Sequence, residues 1–68
     1  MKLIVISEKI HSYRKENRLS LAKFSELINV SPQAVYKWEH SECYPAITML
    51  PKLAELLGCS VDDFFRDV

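Results

Sequence analysis

Sixty-eight residues, 49% of them hydrophobic and 26% charged, carry nine basic and nine acidic side chains and no net charge. That length suits one domain over residues 1–68 with a modest core, and no apolar run is long enough for a membrane span. The opening run Met1-Lys2-Leu3-Ile4-Val5-Ile6 is too short for a signal-peptide core and lacks a small-residue cleavage site, so a cytoplasmic protein is the expectation.

In chain order, Leu3-Ile4-Val5-Ile6 has strand composition. Residues 1–5 read as an N-terminal arm or an edge strand, one that could pair with a second copy of the chain. Ser7 is placed to cap a first helix running to about residue 17. Glu8 lies in its first turn and Lys15 and Arg18 near its end, as the helix dipole favours. Ile6, Ile10 and Tyr13 supply its buried face; Lys9, His11 and Lys15 face water.

Ser20 begins a second helix over residues 21–28, with Leu21, Phe24, Leu27 and Ile28 at helical spacing. Asn29 tolerates the left-handed backbone that ends a helix. Ser31 is the next cap and Pro32 takes the first helical position of a third helix over residues 32–40. Its Val35 and Trp38 point one way, and Pro32, Gln33, Tyr36, Lys37 and His40 the other. Two helices joined by so short a turn cross steeply, as in a helix-turn-helix unit.

Pro45 closes the loop after that unit. A fourth helix ends at Leu57 with Gly58 as its stop. Pro51 must sit in its first turn, so the helix starts near residue 47 or 48, or begins with a distorted turn. Ile47, Leu50, Leu53, Ala54 and Leu57 form its expected inner stripe. Ser60, Asp62 and Asp63 read as the start of a fifth short helix bearing Val61, Phe64 and Phe65. The expected fold is all-α: five short helices with no sheet.

Few combinations point to chemistry. Cys43 and Cys59 are too few for a disulfide framework and, with His11 and His40, match no zinc spacing. His40 and Cys43 have no third group to orient them as base and nucleophile. No enzyme, metal or cofactor is expected, and no small-molecule effector is evident. Charge is distributed unevenly, however. Residues 9–37 hold six basic and two acidic side chains, and residues 38–68 hold two basic and six acidic. The basic half contains the helix-turn-helix.

Taken together, Ile10-x-x-Tyr13-Arg14-Lys15, Leu19-Ser20, Val30-Ser31, Val35-x-x-Trp38-Glu39, Pro45 and Leu53-Ala54-x-x-Leu57-Gly58-x-Ser60-Val61-Asp62 resemble the Cro/C1-type (xenobiotic-response-element family) helix-turn-helix domain of phage repressors and bacterial regulators. The resemblance covers residues 6–65. It implies a compact lambda-repressor-like domain that binds double-stranded operator DNA, commonly as a homodimer on a palindrome. It also implies a structural brace between Arg14 and Glu39, which agrees with the need of a partly buried carboxylate for a charged donor. Four positions depart from the family pattern: Leu21 where Gln is frequent, Ser25 and Asn29 where Ala and Gly are usual, and His40-Ser41-Glu42 in place of an Asn-Gly-Lys-like loop.

The resulting expectation is a sequence-specific transcriptional regulator, a repressor by analogy. Pro32, Gln33, Tyr36 and Lys37 would meet bases; Ser20, Lys23, Ser31, His40 and Tyr44 would meet phosphates. Met49, Leu56, Cys59 and Val61 would form the dimer surface. The alternative is a protein-interaction module on the same scaffold, motivated by zero net charge, Glu42 and the apolar Leu21, Leu27 and Tyr36.

Overall fold

The computed structural model describes residues 2–67. The order is β1 (Lys2–Ile4), α1 (Ile6–Glu16), α2 (Leu21–Leu27), α3 (Pro32–Glu39), a 3-10 turn (Ile47–Met49), α4 (Leu50–Leu57), a second 3-10 turn (Val61–Phe64) and β2 (Phe65–Asp67). The core is all-helical, but it holds four α-helices rather than the expected five. Val61–Phe64 makes only a 3-10 turn. Ser60 and Asp63 close a capping box around it, yet the chain straightens at Phe65 and pairs with the N-terminal segment. An expectation of no sheet is thereby overturned: β1 and β2 run antiparallel, with Ile4 opposite Phe65. The segment read as an arm or edge strand has the chain's own other end as a partner.

One repeated device ends every helix. Leu19 N–H bonds Arg14 O at 2.9 Å, Val30 N–H bonds Ser25 O at 3.0 Å, Glu42 N–H bonds Lys37 O at 2.9 Å and Cys59 N–H bonds Ala54 O at 3.0 Å. Each bond spans five residues and follows one residue with positive φ: Arg18, Asn29, Ser41 and Gly58. These are Schellman closures, which satisfy otherwise orphaned carbonyls. Gly58 adopts φ +72° without strain; Arg18 and Asn29 accept a less favourable backbone so that the next helix begins three residues on, and Ser41 does so at the start of the longer loop before Ile47.

The starts vary more. Ser20 accepts from Lys23 N–H at 3.1 Å and Ser31 from Ala34 N–H at 3.2 Å, as the sequence suggests. Ser7 does not cap α1; Val5 occupies that position. The Ser7 hydroxyl instead donates to Trp38 O and accepts from Ser41 Oγ, tying α1 to the end of α3. At α4 the Ile47–Met49 turn supplies the distorted entry that Pro51 requires.

Ile6, Ile10, Phe24, Ile28, Val35, Trp38, Leu53, Ala54 and Phe64 fill the core, with the Tyr13 and Phe24 rings edge to face at 6.0 Å. Ser25 is buried where a smaller apolar residue would be simpler, and its hydroxyl donates to Ala22 O at 2.7 Å. Ile47 leaves the expected inner stripe: it is 80% exposed, because the 3-10 turn rotates it off the α4 face. Among the described residues no helix is long and apolar enough to cross a membrane.

Candidate nucleic-acid interface

The site is built on α3, whose inward face is fixed twice. Val35 and Trp38 are locked in the core. Beside them the Glu39 carboxylate accepts Arg14 Nε–H at 2.7 Å and Arg14 Nη2–H at 3.1 Å, a bidentate pair joining α1 to α3. Arg14 Nη1–H reaches Leu19 O at 3.0 Å and so holds the connection into α2 as well. His11 was read as a water-facing side chain; its ring nevertheless bonds Glu39 Oε1 through Nδ1 at 2.8 Å. The signal was available, since residues 11 and 14 share one helix face.

Burial pushes the Glu39 carboxyl pKa up, but the bonds from Arg14 and His11 and their charges outweigh it and hold the group below the usual carboxylate range. The Arg14 guanidinium is raised above its ordinary value chiefly by the same bond. Arg14 is thus committed to the interior, which removes it from the charge available to a polyanion.

The outward face of α3 carries Pro32, Gln33, Tyr36 and Lys37, all exposed. They line one shallow depression together with Leu21, the first residue of α2, and Glu42 from the loop after α3. The Tyr36 ring lies against the His40 ring with centroids 4.0 Å apart. Ser20 and Ser31 stand exposed at the starts of α2 and α3, and exposed Lys23 sits 3.7 Å from Glu26. Tyr44 lies on a different surface, a second depression bordered by Ile4, Pro45 and Phe65.

The residues read as a dimer surface do not share one depression. Met49, Leu56, Cys59 and Val61 are all half-buried against the core rim. Leu56 borders a hollow with Leu27, whereas Cys59 borders another with Tyr13 and Leu57. Burial, then the Asp63 charge, push the Cys59 thiol up, which keeps it in the unreactive protonated form. The grouping of Leu21, Leu27 and Tyr36 also divides: Leu27 belongs with Leu56 on the α4 side, leaving Leu21 and Tyr36 beside Gln33.

Comparison with known proteins places this geometry. A helix-turn-helix family model matches residues 10–64. The chain is 34% identical over 64 residues to a Sulfolobus acidocaldarius protein named "Putative HTH-type transcriptional regulatory protein", covering 93% of this chain and 21% of that one. Among solved structures, the P22 c2 repressor in complex with a synthetic operator superposes with a TM-score of 0.79 at 31% identity, covering 91% of this chain and 94% of that one. A transcriptional regulator from Listeria innocua gives a TM-score of 0.79 at 27% identity, covering 93% and 62%. The chain therefore spans about a fifth of the Sulfolobus protein and less than two thirds of the Listeria one. A match over most of the chain, with the same two-helix unit around Ser20–Glu39, makes it a member of the Cro/C1-type helix-turn-helix family.

Proposed function

We propose that this chain is a DNA-binding unit of a transcriptional regulator, a repressor by its likeness to P22 c2, that reads the major groove with α3. The observation that carries the reading is the division of α3. Its inward face is fixed by the core and the Arg14–Glu39 pair, while Gln33, Tyr36 and Lys37 are left exposed together on the outward face. A helix held this rigidly fits the groove without further ordering.

In this reading Gln33 pairs with adenine N6 and N7, Lys37 reaches guanine acceptors or a phosphate, and Pro32 and Tyr36 supply contact surface. Ser20, Ser31, Lys23 and His40 hold phosphates at the flanks, and Tyr44 would do so only from the far side of the loop. Two copies bind a palindrome through a surface that includes Met49, Leu56, Cys59 and Val61. The longest dimension is 33 Å, so copies on half-sites about 34–36 Å apart fit side by side.

Selection from random duplexes tests this, comparing the native chain with a Gln33→Ala/Lys37→Ala variant across a salt series. A palindrome enriched by the native chain and lost in the variant supports the reading. Lys23→Ala should weaken all sequences alike and shallow the salt slope by about one. The mostly apolar lining beside Gln33, with Glu42 at its rim, favours a second reading as a protein-interaction module. A stoichiometric protein partner, with no DNA enrichment, would support that one.

A further inference from the structure

We infer that two copies of the chain meet across the hollow between α2 and α4, with Lys52 of each copy paired to Glu55 of the other; this rests on the two-copy reading proposed above and locates the centre of the contact. Leu27, at the end of α2, is 49% exposed and borders the hollow with Lys52, Glu55 and Leu56 of α4. Lys52 and Glu55 are both exposed and three residues apart, so they share one face of α4. Among the described residues neither is in an ion pair. Lys23 and Glu26, at the same spacing on α2, instead close on one another at 3.7 Å.

A lysine and a glutamate left open beside an apolar hollow make a self-complementary surface. A two-fold axis passing between them sets the two α4 helices antiparallel. Each Lys52 then lies opposite Glu55 of the other copy, and Leu27 and Leu56 of both copies cover one another along the seam. A chain with no net charge does not repel its own copy at longer range. The hollow shares no residue with the depression on α3, so the contact leaves the reading face free. Helices of seven and eight residues cover less than the roughly 800 Å² per partner of a standard interface, so the dissociation constant should be micromolar or weaker.

Sedimentation equilibrium of the full chain to millimolar concentration, free and on its selected duplex, tests this with Lys52→Glu and Glu55→Lys. Both sites are exposed, so both variants should melt like the native chain. The native chain should dimerise. Each variant alone should do so about tenfold more weakly or worse, because like charges meet twice across the axis. The two variants mixed should recover native association, since every reversed charge then faces its complement. Dimers that form equally well in both single variants, or variants that associate no better mixed than apart, overturn the Lys52–Glu55 contact and leave the two-copy reading intact. A native chain that stays monomeric both free and on the duplex overturns both.

Discussion

Along α3, Val35 and Trp38 are exposed to 0% and 5% and the Glu39 side chain to 5%, while Gln33, Tyr36 and Lys37 on the same eight-residue helix stand open to solvent. The inward set is tied down by other elements: Arg14 and His11 on Glu39, and Ser7 on the Trp38 carbonyl. The outward set is short of partners. The contrast separates stability from recognition by only one or two positions, and substitutions should divide the same way.

Trp38→Ala should have the largest effect, about 3–5 kcal/mol of unfolding free energy, because it leaves a cavity where three helices meet. Urea denaturation measures it. A loss below about 1 kcal/mol would show that the inward face of α3 tolerates collapse.

Glu39→Gln should cost about 3 kcal/mol, since it leaves the Arg14 charge partly buried without its counter-charge. The same pair sets an acid limb. The folded pKa of Glu39 is depressed, so its contribution is complete above the unfolded value of about 4.3 and is lost as pH falls through the lower folded value. Melting temperatures between pH 6 and 2.5 should fall less steeply in Glu39→Gln than in the native chain. Superimposable curves would transfer the acid sensitivity to other carboxylates, Asp63 among them, whose pKa is lowered by its bonds to Ser60.

Gln33→Ala should do the opposite of Trp38→Ala. Stability should hold within about 0.5 kcal/mol, while affinity for the preferred duplex drops by about 1–3 kcal/mol and one base position relaxes. An equal drop on all sequences would make Gln33 a non-reader and blur the division. Smallest of all, Arg18→Gly should stabilise by about 0.5 kcal/mol by relieving a positive φ of 53° at an exposed turn, the larger chain entropy of glycine offsetting part of the gain.

Much of this was legible in the residues. Ser20, Asn29, Ser31 and Pro32 mark the turn between α2 and α3 because capping and left-handed backbone are local properties of those residue types. Pro51 and Gly58 fix the limits of α4 for the same reason. The outward-facing Gln33, Tyr36 and Lys37 followed from helical spacing. His11 shares a helix face with Arg14, but only the packing of α1 on α3 brings the carboxylate, 28 residues away, within its reach. Leu21 was legible as a departure from the family pattern and as one of three apolar residues with Leu27 and Tyr36; only the packing of α2 against α3 separated it from Leu27 and set it beside Gln33.

The sequence by itself determined α1 to α4, though not the short fifth helix it also suggested, together with their stops and the surface α3 would expose, since each depends on neighbours within about four residues. Tertiary structure alone decided two other matters. It joined residues 2–4 to residues 65–67 in a sheet, a pairing with no local signal. And it assembled an apolar wall from Leu21, Pro32 and Tyr36, whose common face exists only once the two helices have crossed.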